Sequence, residues 1–414
     1  MLDGSRAATI ADAESLGALT TRPPLRRFHN ILSPAAGSRL ALFYAATFAV
    51  SGVHQPFWPV WLQAHGQDPD AIVFLLSIGV FVRILSNPTV AHAADRRGER
   101  RRLMLWLACA SLAAFALFPL SSNFIVLLVL SLLFGCFWAP IGPLGDNLAL
   151  LTVYAERLDY GRIRRWGSIS YMLCSALAGW IITRAGSASI WLIVLACLLL
   201  TIGACAALPD RRVEKAEHAA AAPTRRLLRS PLCLLFFAGA SLLQAAHAVY
   251  YSFFALHLRR LGYDETVSGL LWAEAVIVEI LLFSSGALVR QIAPTMLLLV
   301  GAAAGLLRWS LMAETTSLVL LGLLQLLHAL TFGASHLGAM HFLARAIPAP
   351  LSASAQSLYS AATGVVLALA LLLAGPLYGL YGAGAYYAMT AMSLLGGACC
   401  IALASRWDGQ KIVL

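Results

Sequence analysis

Charged residues are scarce in this sequence. Asp, Glu, Lys and Arg make up 12% of the 414 residues, and only two of them are lysines. Hydrophobic residues make up 60%, and the mean hydropathy is +0.79. A soluble domain carries roughly 25% charged residues, so this composition argues against one. The net charge of +10 does not indicate a partner nucleic acid, because the basic residues are concentrated in loops between apolar segments.

Several motifs are missing as well. Residues 1–38 are polar and contain no apolar stretch of a secretory signal peptide, so we expect a disordered cytoplasmic tail. The absence of a P-loop, an HExxH and a GxSxG motif argues against ATP-driven transport and against an enzyme. The eight cysteines lie in apolar segments without metal-ligand spacing. We therefore expect no cofactor, no metal site and no disulfide.

Long apolar runs are abundant. Twelve are long enough to cross a hydrocarbon core of about 30 Å as helices, which needs about 20 residues each. Strands with open edges are excluded in lipid, because their backbone polar groups would stay unpaired. The predicted fold is an all-α membrane protein with spans at residues 39–62, 71–93, 103–120, 124–150, 164–183, 187–207, 231–257, 266–289, 294–312, 315–343, 353–378 and 383–404.

The twelve runs divide six and six. We predict a six-helix bundle over 39–207, a cytoplasmic linker over 208–230, a second bundle over 231–405 and a tail over 406–414. The bundles also resemble each other at a constant offset of 196 residues, which predicts a parallel repeat with the substrate between the halves and alternating access by rocking. The matching positions are Phe57–Leu62, Gly66 and Asp68, and Phe253–Leu258, Gly262 and Asp264.

The positions of the basic residues predict the orientation. Of the 29 Lys and Arg, Arg184, Arg259 and Arg260 fall in loops on one side, and Arg83 and Arg308 fall inside spans. The other 24 lie in the termini and in the loops of the opposite side. Cytoplasmic loops are enriched in Lys and Arg. We therefore expect a multi-pass protein of the cell inner membrane with both termini in the cytoplasm.

The loop after the second run reads Asp95-Arg96-Arg97-Gly98-Glu99-Arg100-Arg101. It resembles the signature loop of the major facilitator superfamily, with Ala91 in place of the first glycine. The resemblance implies a conformational gate, in which a tight cationic turn lets Asp95 engage a neighbouring helix end. The predicted gate residues are Asp95, Arg96, Gly98 and Arg100; the alternative is a basic loop that only fixes topology.

Five strings resemble the phenylpropionate permease family, whose members are similar to lactose-permease-type proton symporters. They are Pro56–Leu62, Leu158–Ser168, Leu243–Tyr251, Leu327–His328 with Thr331–Phe332, and His336–Leu337. This resemblance implies symport of 3-phenylpropionate or cinnamate-like acids with a proton. His54 and Gln55 depart from the apolar residues expected there. If they face the cavity, they change the specificity.

Two spacings resemble those of lactose-permease-like sugar symporters. Asp146 and Arg164 match a carboxylate and a guanidinium that bind substrate hydroxyls, although a gate with the basic loop is an equal alternative. Arg308 and His328 match part of the proton-coupling cluster. Thr331 stands where sugar permeases have the proton-carrying Glu, so another group must hold the proton here.

Charged side chains inside spans are candidates for substrate binding and proton coupling. Placing each one at the centre of a membrane costs about 2.5–3.5 kcal/mol on insertion scales, so such residues are usually functional. We expect Arg83 to bind an anionic substrate and Glu274 to pair with Arg308. Glu279 lies deeper and is the predicted protonation site, since a low-dielectric environment favours a neutral carboxyl. The alternatives are a structural pair of Glu279 with Arg308 or a histidine, and Glu274 as the carrier.

Span seven carries a polar and aromatic stripe at helical spacing. Its members, Gln244, His247 and Tyr251, are predicted to line the substrate cavity. Together these features predict a monomeric secondary transporter that imports a small aromatic acid with a proton. We expect it to lie in the lipid bilayer and to bind no nucleic acid. Alternatives are symport of a neutral solute such as a nucleoside or oligosaccharide, drug or metabolite export, and a non-transporting sensor.

Overall fold

A computed structural model describes residues 34–97, 99–209, 225–285, 289, 291–348 and 351–412 of the chain. From Ala36 onward these residues pack as one compact unit. The predicted tail over 1–38 lies almost wholly outside the described residues, and so does most of the predicted linker. The last part of that linker, Arg225–Arg229, is a short helix.

The described residues form twelve spans, six on each side of the linker. Spans 1 to 6 are Pro34–Ala64, Pro69–Arg97, Arg100–Ala116 with the turn Phe118–Leu120, Phe124–Trp138 with Ile141–Glu156, Tyr160–Ala185 and Ala188–Ala207. Spans 7 to 12 are Pro231–Ala245 with Ala248–Arg260, Glu265–Ser284, Pro294–Glu314, Leu318–Leu326 with Ala329–Ala334 and Ser335–Ala346, Ser352–Tyr381 and Tyr386–Ala404.

Spans 11 and 12 follow each other almost without a loop. Eleven continuous helical runs among the described residues are long and apolar enough to cross a membrane, and the last run, Ser354–Ala404, has 51 residues. A straight helix of that length would measure about 77 Å, more than twice a hydrocarbon core. The turn Gly382–Ala385 divides it, and Gly382 has a φ of 56°, which favours glycine. The prediction of twelve transmembrane helices is therefore confirmed.

The turns after spans 1 and 7 have the same geometry. Gly66 and Gly262 have φ angles of 80° and 87°. The residue after each glycine donates its N–H to the carbonyl five residues earlier, at 3.1 and 3.0 Å. Asp68 and Asp264 then cap the next helix by accepting an N–H three residues on, at 2.8 and 3.0 Å. The sequence repeat thus corresponds to a repeated structural element.

Spans of the two halves meet along two seams, span 5 on span 8 and span 2 on span 11. The closest approach is at the end of the molecule that carries the short loops 64–69 and 260–265, which we call the short-loop end. A Cβ on Gly179 would overlap the carbonyl oxygen of Glu265, and one on Gly269 would overlap that of Ser175. Glycine is therefore required for the two backbones to touch.

The opposite end, where the described chain ends at residue 412, is packed differently. At the short-loop end one hydrophobic core contains residues of both halves, such as Trp61 and Phe253. Toward the other end each half has a core of its own, one around Leu148 and one around Phe342. The halves are therefore joined tightly at the short-loop end, and their cores separate toward the end that we call the termini end.

Candidate functional site

A cavity of about 300 Å³ lies at mid-depth, mostly within the first half. Spans 1, 2 and 4 form most of its wall. The second half contributes Tyr251 from span 7 and Leu367 and Leu371 from span 11. Ligand sites commonly measure about 300–1,000 Å³, so this cavity suits a small molecule.

Aromatic rings form one side of the cavity. The imidazole of His54 stacks on Trp58 with ring centroids 5.2 Å apart, and it lies 5.5 Å from Phe134. Phe134 in turn stacks on Trp138 at 6.0 Å. His54 and Trp58 lie on span 1, and Phe134 and Trp138 lie on span 4, so the aromatic faces of these two helices pack together. The wall therefore presents ring faces and edges to a bound molecule.

The polar groups of the cavity are few, and most of them have no hydrogen-bond partner among the described residues. Arg83 lines it from span 2 and has no hydrogen-bond or ion-pair partner among the described residues. The same holds for His54, Gln55 and Ser131. Ser51 differs, because its hydroxyl donates to a backbone carbonyl of its own helix at 3.3 Å. Three of the predicted substrate-binding residues, Arg83, His54 and Tyr251, thus line one cavity, and their contact with a substrate stays a prediction.

A second polar region lies in the other half, around Arg308. This side chain is fully buried. Its Nη2 donates to Gln325 Oε1 at 2.7 Å, and its Nη1 donates to Thr331 Oγ1 at 3.0 Å and to His328 Nδ1 at 3.1 Å. The predicted pair with Glu274 is absent, because these three partners on span 10 hold the guanidinium. Glu274 instead lies against Gly322, farther toward the short-loop end.

The hydrogen bonds of this region have a definite direction. His247 Nδ1 lies 3.0 Å from the carbonyl of Gln244 and must donate to it. His247 Nε2 is then the acceptor for Thr331 Oγ1 at 3.2 Å. Tyr250 donates to Gln325 at 3.1 Å. His247 is fully buried, so it belongs to this network and does not line the cavity as predicted.

Glu279 approaches the same network from span 8. Its Oε2 lies 3.6 Å from Nε2 of His328. Since His328 Nδ1 accepts from Arg308, the proton of a neutral His328 ring is on Nε2 and faces the carboxyl group. If the His328 ring were protonated on both nitrogens, its Nδ1–H would point at the N–H of Arg308, and two donors would face each other. The carboxyl group of this network is thus that of Glu279 on span 8. Thr331, at the position where sugar permeases have a Glu, accepts a hydrogen bond from the guanidinium of Arg308 instead.

Two of the four spans that position this network, spans 7 and 10, are interrupted. Span 7 breaks at Ala246 and His247, and span 10 contains a π-helical turn at Ala329–Ala334. The amide of Gln244 donates to the carbonyl of Phe332, inside that turn, at 3.4 Å. Interrupted helices are frequent at transporter sites and π turns at functional sites. No proline marks either break in the sequence.

Asp146 and Arg164 do not form an ion pair with each other in the described structure. Asp146 Oδ1 accepts from the hydroxyls of Tyr44 at 2.7 Å and Tyr160 at 3.2 Å. The guanidinium of Arg164 lies over the ring of Phe48, 4.0 Å from its centroid. Neither residue lines the cavity. The pair therefore lies outside the wall of this cavity, and its contact with substrate hydroxyls stays a prediction.

The predicted gate loop is described only in part. Arg96 is exposed and Arg100 is buried, whereas the side chain of Asp95 and the whole of Gly98 lie outside the described residues. In the described part of the chain, no three His, Cys, Asp or Glu residues lie together so that they could hold a metal ion. The residues missed by the sequence interpretation are Gln325 and Tyr250. Gln325 lies three residues before His328 and could have been found from that helical spacing.

Comparison with known proteins identifies the family. Residues 38–389 match the sequence profile of the MFS_1 like family. The chain belongs to this family. It is 32% identical to a probable 3-phenylpropionic acid transporter of Escherichia coli over 367 residues, which cover 86% of this chain and 94% of the relative. It is 26% identical to the maltose permease of Geobacillus stearothermophilus, over 77% of this chain and 82% of that protein.

Solved structures show the same fold. The nucleoside transporter NupG superposes with a TM-score of 0.79 at 14% identity, covering 90% of this chain and 100% of that chain. A bacterial homologue of the lysosomal transporter Spinster, in an inward-facing and unoccupied conformation, superposes with a TM-score of 0.70 at 12% identity, over 90% and 98%.

This member of the MFS_1 like family is a secondary transporter and not an enzyme. Its helices make it a multi-pass membrane protein. Its similarity to transporters shows that its substrate is a small molecule. The family assignment agrees with the resemblance drawn from the sequence strings.

Proposed function

We propose that this protein imports a small aromatic monocarboxylate together with a proton. The observation that carries the proposal is Arg83, a cation inside a span that has no partner among the described residues and lines a cavity walled by aromatic rings. An unpaired charge at this depth is costly, and an anionic ligand offsets that cost. The similarity to a probable 3-phenylpropionic acid transporter supports the same class of substrate.

The proposed proton carrier is Glu279. Its carboxyl group contacts His328, whose ring is already engaged by Arg308, so the imidazole orients the carboxyl without taking the proton itself. A neutral carboxyl suits a site with little water. In this proposal Arg308, His328 and Gln325 hold the coupling site together, and Glu274 has no part in it.

Proton and substrate enter together in this scheme. A monocarboxylate with one proton carries no net charge, so the pH gradient drives its accumulation. For a neutral load, the membrane potential would add about 2.3 kcal/mol per charge and 100 mV.

The proposed orientation places both termini in the cytoplasm of a cell with an inner membrane. The short-loop end then faces outward, and the described conformation is closed to the outside. The halves, residues 39–207 and 231–405, would rock about the cavity as a monomer, with the loop from Asp95 to Arg101 as the inner latch. The positions of Lys and Arg and the packing of the two ends support this arrangement.

Uptake of labelled 3-phenylpropionate into cells tests the proposal, with and without a protonophore. Wild type should accumulate the acid only without the protonophore, and Glu279→Gln should lose accumulation but keep exchange of external for internal substrate. Glu274→Gln is the matched control, since it changes a carboxyl on the same helix outside the network, and it should accumulate normally. If correctly inserted wild type takes up no acid, the substrate class is wrong. Competition by uridine or maltose would then test for a neutral solute.

A further inference from the structure

The cavity contains more hydrogen-bonding groups than a simple aromatic acid can pair. A carboxylate engages Arg83, but the side chains of His54, Gln55 and Ser131 also line the cavity and have no hydrogen-bond partner among the described residues. Ser131 is buried, and His54 and Gln55 are half-buried at the cavity surface. A ligand that fills the cavity removes water from these groups, and a polar group left unpaired against an apolar ligand weakens binding. The ring of 3-phenylpropionate would leave all three without a protein or ligand partner.

We propose that the substrate is an aromatic monocarboxylate whose ring carries a hydroxyl group, bound with the carboxylate at Arg83 and the hydroxyl at His54 and Ser131. This inference rests on the proposed function and adds a second recognition point to it. A second carboxylate does not suit the cavity, because Arg83 is the one permanently charged residue among the described residues that line it.

The depths of the groups fit this orientation. At about 1.5 Å per residue, measured from the short-loop end, Arg83 lies about 21 Å along span 2 and His54 about 15 Å along span 1. On the same basis Ser131 lies about 10 Å along span 4. The aromatic wall of Trp58, Phe134 and Trp138 covers the same range of depths. An extended arylpropionate therefore places its ring beside the wall and its far edge toward Ser131.

The chemistry of the unpaired groups favours a hydroxyl substituent. A neutral imidazole, an amide and a serine hydroxyl each donate and accept hydrogen bonds. A phenolic hydroxyl also does both, so it can pair with two of these groups at once. A halogen or methyl substituent of similar size would satisfy neither requirement. Sites built to bind a substrate hydroxyl reject the analogue that lacks it, because their own polar groups are left unpaired.

The test compares the binding of 3-(4-hydroxyphenyl)propionate and 3-phenylpropionate to the purified full-length protein by titration calorimetry. Wild type should bind the hydroxylated acid about tenfold more tightly. Ser131→Ala and His54→Phe should each reduce that ratio to about threefold or less. Ser51→Ala is the matched control, because that hydroxyl lines the same cavity but is already donated to its own helix. It should keep the wild-type ratio.

The outcomes separate this inference from the proposed function. Equal affinity of wild type for the two acids, with both weakened by Arg83→Gln, would overturn the hydroxyl site and leave the aromatic-acid transporter intact. A wild-type preference that survives in both Ser131→Ala and His54→Phe would also overturn it. If neither acid binds, both proposals fail. Because His54→Phe changes a packed ring, the melting temperature of each variant is measured first, and Ser131→Ala alone decides if His54→Phe does not fold.

Discussion

Arg83 and Arg308 both lie near the middle of a span, and their surroundings differ sharply. Arg308 is fully buried, donates three hydrogen bonds to span 10 and is covered by the rings of Tyr250 and Trp309. Arg83 lines a cavity and has no partner among the described residues. The same residue type therefore serves two purposes. A guanidinium paired within the protein organises its neighbours, whereas an unpaired one beside a cavity is available to a ligand.

The largest effect on stability is expected at Arg308. The Arg308→Gln change removes the donor that orients Gln325, Thr331 and His328 and leaves buried acceptors unpaired. Breaking such a buried charged network costs about 3–5 kcal/mol. Thermal unfolding of the detergent-solubilised protein should therefore occur at a clearly lower temperature than in wild type. Arg83→Gln is the control, and an equal loss of stability in both variants would remove the distinction between the two arginines.

The next prediction concerns the seam between span 5 of the first half and span 8 of the second half. In Gly269→Ala the new methyl group would overlap the carbonyl oxygen of Ser175, so the short-loop end could not close as it does here. We expect transport to fall at least tenfold, roughly 1.4 kcal/mol, while substrate binding is retained. Gly203→Ala is the matched control, because a Cβ there meets no atom within 4 Å. Normal uptake by Gly269→Ala would contradict the tight closure.

Gln325→Leu is expected to lower the stability less than Arg308→Gln does. This change removes the acceptor of both Arg308 Nη2 and the Tyr250 hydroxyl, and hydrogen bonds to charged groups contribute about 1.5–3 kcal/mol. The shift of the unfolding midpoint relative to wild type measures it. Gln55→Leu makes the same substitution in the cavity, where the amide has no partner among the described residues, and should leave the midpoint nearly unchanged. Equal shifts would mean that the Gln325 contacts contribute nothing.

The smallest effect is expected for Asp146→Asn. The amide oxygen of asparagine can still accept from the hydroxyls of Tyr44 and Tyr160, so the cost should stay below about 1 kcal/mol. Because Asp146 does not line the cavity, the affinity for 3-phenylpropionate should change less than about twofold, within the same free-energy range. A large loss of affinity, measured by titration calorimetry, would restore the sugar-symporter role of this carboxylate.

Much of the fold could be predicted from the sequence, because each span is a continuous apolar run and the loops carry the basic residues. The offset that relates Gly66 to Gly262 was visible as well, since both glycines are needed for a positive φ. The charged residues in the middle of the membrane could also be predicted, because each one interrupts an apolar run. Arg83 was singled out as a charge inside a span, and His54 as a departure from the family pattern.

Pairing across spans could not be predicted in the same way. Depth alone put Glu274 level with Arg308 and left a pair of Glu279 with a histidine as an alternative. The rotation of span 8 and the π turn of span 10 bring Glu279 to His328. The break of span 7 buries His247, which helical spacing had assigned to the cavity. Such contacts depend on helix rotation and on local backbone irregularities, and neither leaves a clear signal in hydrophobic periodicity.

The central claim is that Arg83 binds the carboxylate of the substrate. Titration calorimetry of 3-phenylpropionate with the purified wild type and with Arg83→Gln tests it most directly. We expect wild type to bind and the variant to bind at least about tenfold more weakly, equivalent to 1.4 kcal/mol, with an unchanged melting temperature. Equal affinity of the two proteins for the acid would contradict the account.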